Sequence, residues 1–107
     1  MALSTKPWGS ISESDYTPEQ FCAACLIDMN EPGAEKTKAQ CKLPVREPGG
    51  ALNRNGMIAA GAVLAGARGG VDAPADKKKA AARKLASMMR ANDMQPSPGM
   101  MKMAGMA

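Results

Sequence analysis

Residues 41–56 read CKLPVREPGGALNRNG. Proline without an amide donor stands at 44. A second proline at 48 forces Glu47 out of the helical region, so Leu43 to Pro48 can only be an edge strand or an extended strap. Leu43 and Val45 alternate with Pro44 and Arg46, as an extended segment requires. Gly49 and Gly50 make a turn, and Asn53 or Asn55 then caps a helix. The fold turns on whether this rigid path runs around the chain's own core or across another molecule. Reading outward from it favours the second.

Upstream, SDYTPEQFCAACLIDM carries Thr17 as N-cap, Pro18 at the first helical position and Gln20 completing a capping box, with Tyr16 and Phe21 placed as a hydrophobic staple. Phe21, Cys22, Cys25, Leu26 and Met29 recur at three- and four-residue spacing, predicting a helix over 17–29. Residues 34–40 are polar and show no period. Downstream, Met57, Ile58, Gly61, Val63, Leu64 and Ala65 form the inner side of a second helix, ended by Gly66, Gly69 and Gly70. A third helix spans about 74–91, with Ala81, Leu85, Met88 and Met89 inward. After Asn92 the composition falls to MQPSPGMMKMAGMA, without a period.

The chain has 107 residues, enough for one domain. Leu, Ile, Val and Phe number thirteen in all, well under the roughly one-fifth of residues at which a core becomes secure. The expected fold is mainly α: a small three-helix body over 15–92, its C-terminal half a helix–loop–helix, with one Pro-bracketed strap. Irregular arms are expected at 1–14 and 93–107. MALSTKPWGSI lacks the pattern of a signal peptide, and no apolar run reaches the ~20 residues of a membrane span. Three cysteines without an export signal predict reduced thiols rather than a disulfide framework.

Cys22 and Cys25 form a CxxC with Cys41 as a third candidate, but the chain has no histidine, and zinc would need Asp28 as fourth ligand. Two thiols on the buried face of one helix are more simply small hydrophobes, so no metal and no cofactor is expected. Without histidine, and without a phosphate-loop motif, no enzymatic activity is expected either. Residues 71–107 hold seven basic and three acidic side chains, which accounts for the net charge of +4. Lys77, Lys78, Lys79, Arg83 and Lys84 form a candidate basic patch. Its plainer alternative is a solvated helix face, since nothing beside it reads bases.

Taken in order, DYTPEQFCAACLID (15–28), KLPVREPGGALNRNGMIAAGAVLAG (42–66) and GGVDAPADKKKAAARKL (69–85) resemble a small uncharacterised domain of tailed-bacteriophage head genes, found alone or appended to capsid-maturation proteases. The shared pattern covers about residues 15–91. The resemblance implies a virion association and no protease activity, because the catalytic domain is not part of the match. On this basis the chain is expected to be a decoration (cement) or minor capsid subunit, made in the bacterial host cytoplasm and residing in the virion. It would bind the major capsid protein, with neighbouring copies of itself as possible further partners and no membrane. The candidate interface comprises Trp8, Leu43, Pro44, Val45, Arg46 and Pro48, with Met100, Met101 and Met103 of the Met-rich tail, whose flexible thioethers fit irregular grooves. Two alternatives stand beside it: a nucleic-acid-binding helix–loop–helix module led by the third helix, and a transient capsid-assembly adaptor.

Overall fold

A computed structural model describes residues 3–66 and 69–105. The fold is mainly α, as expected, with four α-helices and one two-stranded antiparallel sheet among the described residues. Contacts divide the chain into two compact units, 1–56 and 57–107. No helix among the described residues is long and apolar enough to cross a membrane.

In the first unit, helix α1 (Pro18–Ala24) begins as its sequence dictates. The Thr17 hydroxyl accepts from the Gln20 amide at 3.2 Å, and the Gln20 carboxamide oxygen accepts from the Thr17 amide at 2.9 Å. Tyr16 and Phe21 meet edge to face, centroids 5.4 Å apart. The helix ends five residues earlier than its apolar spacing predicts. Cys25–Asp28 instead form strand β1, which pairs with β2 (Cys41–Pro44) in the register Cys25↔Pro44, Ile27↔Lys42, Asp28↔Cys41. Burial alternates along both strands, and directly opposed residues differ in burial, so each face of the hairpin is partly covered. The apolar spacing of 21–29 fits a period of 3.6, whereas residues 25–28 bury every second side chain, as a strand does. Pairing with 41–44 decides between them, because it satisfies backbone groups on two segments at once.

The Pro-bracketed strap belongs to this same core. Leu43 is 9% exposed and Val45 is 2% exposed. The Val45 amide donates to the Ala24 carbonyl at 2.9 Å, and the Tyr16 hydroxyl donates to the Arg46 carbonyl. The chain then turns back through Pro48–Gly50, with Gly50 at φ +97°, and the Asn53 amide returns to the Val45 carbonyl at 2.9 Å. The prolines therefore fix a path around the protein's own core, contrary to the path across a partner expected above.

Of the arm expected over 1–14, the described residues, 3–14, are not free either. Ser4 bridges to Asn53, its amide donating to the Leu52 carbonyl at 2.9 Å while its carbonyl accepts from Arg54 at 2.8 Å. The Trp8 ring lies so close to Gly56 that a Cβ there would stand 3.0 Å from it. Only a glycine admits the indole at that point.

Helix α2 (Arg54–Leu64) crosses the boundary between the units. In the second unit it buries Met57, Ala60 and Leu64, whereas Ile58, assigned above to the inner side, is exposed because it falls a third of a turn away from Met57. Helix α3 (Ala75–Ala91) buries Ala81, Ala82, Leu85, Ala86 and Met89, with Met88 only half-buried. Asp93 takes the left-handed conformation (φ 57°), and the Met94 amide donates back to the Met89 carbonyl at 2.8 Å, closing the helix.

The segment expected to be irregular, 93–107, instead contains helix α4 (Pro98–Met103). Ser97 caps it, accepting from the Met100 amide at 3.2 Å, and Pro98 occupies the first helical position. Met100 and Ala104 are fully buried. A Cβ on Gly61 would lie 3.2 Å from the Met100 sulfur, so glycine in α2 opens the space that α4 fills. The core of this unit is built largely from methionine and alanine, packed around Leu64, Val71 and Leu85, which is why a count of Leu, Ile, Val and Phe undervalues it.

Candidate functional site

Three places gather polar chemistry. The first lies at the neck of the loop joining β1 to β2. Cys22 and Cys41, 19 residues apart, are joined by a disulfide, with Cα atoms 5.3 Å apart. This corrects the expectation of three reduced thiols: the end of α1 and the start of β2 bring these two cysteines together, which the spacing in sequence did not reveal. Cys25, the other half of the CxxC, is a free thiol buried on β1. Burial, with Glu13 and Asp28 nearby, pushes its pKa up to about 12.

Asp28 completes the group. One ligand-type atom from each of Cys22, Asp28 and Cys41 lies within 4.8 Å of the others. Burial would raise the Asp28 carboxyl, but the Lys36 ammonium and two hydrogen bonds from Asn30 outweigh it and hold the carboxyl below its ordinary range. Asn30 is the hub. Its oxygen accepts from the Thr37 amide (3.0 Å) and hydroxyl (3.1 Å), and its nitrogen faces Asp28 and both sulfurs. Asp28 was legible as a companion of the cysteines. Asn30 and Lys36 were not, since their roles arise only when the loop closes.

The second place is the basic surface of 57–107, a unit with eight basic and three acidic side chains. Lys77, Lys79, Arg83 and Lys84 are exposed and Lys78 is half-buried. They do not form one patch. At 100° per residue, Lys77 and Lys84 share one flank of α3, while Lys79 and Arg83 lie on the other in line with Arg90. Arg83 donates from Nε to the Ala104 carbonyl at 2.9 Å, capping α4 at the end where a cation is favoured. Exposed Lys102 adds a further charge on α4. Arg90 and Lys102 were missed in the patch, although the spacing 79, 83, 90 carries the signal for the first. Within α3 the acidic side chain is Asp76, and both ion pairs among the described residues lie in 1–56.

The third is a cavity of about 170 Å³ lined by Gln20, Ala23, Ala24 and Arg46–Gly50. Its carboxylate, Glu47, is already committed. Hydrogen bonds from Ser4 and Asn53, with Lys6 at 3.8 Å, hold its pKa below the ordinary range. Arg46 donates to the Gly50 carbonyl at 3.1 Å.

Of the nine interface candidates, Leu43, Val45 and Met100 are buried, and Trp8, Pro44, Arg46, Pro48, Met101 and Met103 are half-buried. The reason is common to all of them: the strap, the leader and the tail pack onto their own units. Compared with known proteins, no family model, no curated protein and no solved structure matches the chain.

Proposed function

We propose that the chain is a non-enzymatic structural protein of a tailed-phage head, a decoration or minor capsid subunit. In this role it meets an acidic partner surface, most directly on the major capsid protein, through the exposed cations of α3 and α4. Support for the phage setting comes from the ordered resemblance of residues 15–91. Support for the binding surface comes from one observation: Lys79 and Arg90, in line on one flank of α3, and Lys102 of α4 are exposed with few acidic neighbours in their own unit. Apolar arms are not needed for this role, and charge complementarity supplies register and encounter rate more than raw affinity.

Copy counting by mass spectrometry of purified particles tests the proposal. A fixed number of copies in mature particles is expected, and absence from them would sink the cement role. Presence in immature particles alone would instead mark a transient assembly adaptor. A nucleic-acid module is favoured by the same cations. If phosphates alone are neutralised, duplex binding is weak, insensitive to sequence and steeply lost with salt. A strong preference for one sequence at ~150 mM salt, near the physiological range, would put the nucleic-acid role first.

A further inference from the structure

The nitrogen of Asn30 stands among four acceptors: Asp28 Oδ1 at 2.8 Å, Cys41 Sγ at 3.3 Å, the Thr37 carbonyl at 3.3 Å and Cys22 Sγ at 3.6 Å. It carries two hydrogens, so lone pairs outnumber protons at this point. Sulfur, sulfur and carboxylate converging within 4.8 Å is also the donor set that suits zinc. Lys36 beside Asp28 offsets the excess negative charge that two thiolates and a carboxylate leave around a divalent ion. Cys25 contributes nothing to the cluster.

We propose that Cys22, Cys41 and Asp28 form a redox-gated zinc site, loaded when the disulfide is reduced and abolished when it forms. A dithiol reductant passes two electrons and two protons to the Cys22–Cys41 bond, leaving two thiols and becoming a disulfide itself. Zinc then binds as both thiols release their protons to solvent, with Zn–S bonds of about 2.3 Å and one carboxylate bond of about 2.0–2.2 Å. Water or the Thr37 carbonyl completes four ligands. The Asn30 carboxamide turns away from the centre or donates to a thiolate from outside it, as groups around metal ligands commonly do. The oxidised pair has no thiolate to offer. Zinc and disulfide are thus alternative clasps for the same loop, 29–40, and the site is independent of the basic surface.

The test uses the full chain, reduced with a phosphine, stripped with chelator and titrated with Zn²⁺ against a chromogenic competitor, with Co²⁺ as a spectroscopic substitute. The reduced chain is expected to take one ion with a thiolate-to-cobalt charge-transfer band, and the oxidised chain none. Cys22→Ser and Cys41→Ser should lose the band. Asp28→Asn should weaken zinc at least tenfold while keeping the band at saturating cobalt, which guards against a cysteine variant that merely fails to fold. Cys25→Ala should bind as the parent does. Failure of the reduced chain to bind one ion, an affinity untouched by Asp28→Asn, or loss of binding in Cys25→Ala would each overturn the site.

Discussion

Asn53 is fully buried, and each of its polar atoms has a fixed partner. Its oxygen accepts from the Gly56 amide at 2.8 Å, capping α2, while its nitrogen donates to Glu47 at 2.9 Å and to the Lys6 carbonyl at 3.2 Å. Loss of an N-cap costs about 1 kcal/mol, and stranding a buried partner adds roughly 1–3. Asn53→Ala is therefore expected to destabilise the chain by about 2–4 kcal/mol in urea unfolding, whereas Asn55→Ala, which loses only exposed contacts, should cost under about 1 kcal/mol. Two asparagines in NRN were both legible as caps. Only the return of residues 46–52 onto Val45 decides for the first. Cys25 and Tyr16 make a second case. Burial comes first among the causes that raise both to about 12, from ordinary values of 9.0 and 10.0. An unfolded chain releases these protons earlier, so the stability they confer is complete below about pH 9 and is lost as pH rises toward 12. Alkaline unfolding followed by circular dichroism should shift to higher pH in Cys25→Ala. Labelling of native Cys25 by a maleimide at pH 8 as fast as in the unfolded chain would contradict its burial.

At the scale of elements, α4 is the piece whose sequence signal was weakest. Ser97 and Pro98 announce a helix start, but the five residues of glycine, methionine and lysine that follow give no period. Its stability is tertiary: a helix this short does not hold alone in water. Met100, fully buried against Gly61, anchors it. Met100→Ala is expected to cost about 2–5 kcal/mol. Deleting 94–107 should lower the helix content by more than the six residues of α4, since it also uncovers Leu85 and Met89. Unchanged ellipticity per remaining residue would show that α2 and α3 pack without it. The start of α1 was legible down to individual hydrogen bonds, because capping is local. Its end was not, because Cys25–Asp28 suits either a helix or a strand, and the choice belongs to residues 41–44. The disulfide has the same character, since its two ends meet only after that pairing. In the absence of zinc, reducing it should cost roughly 3 kcal/mol, as for a closed loop of this length. An unchanged denaturation midpoint after reduction would contradict a constraint on the unfolded chain.

For the molecule as a whole, composition read as a thin core with arms awaiting a partner. The structure uses the same residues differently: alanine and methionine pack the second unit, and the strap closes the first. The extended, proline-restricted character of 41–48 was legible, but which surface it would follow was not, because that depends on Tyr16, Ala24 and Val45 meeting across the chain. With strap and tail folded inward, the proposed partner surface rests on the exposed cations of α3 and α4. Hydrogen exchange on the free, monomeric chain tests this most directly. The amides of Val45, Asn53, Met101 and Ala104, each hydrogen-bonded within the chain, should be protected well above unfolded rates with no partner present. Exchange at unfolded rates at Val45 and across Met101–Ala104 would contradict the account, and would mean that strap and tail order only on the surface they bind.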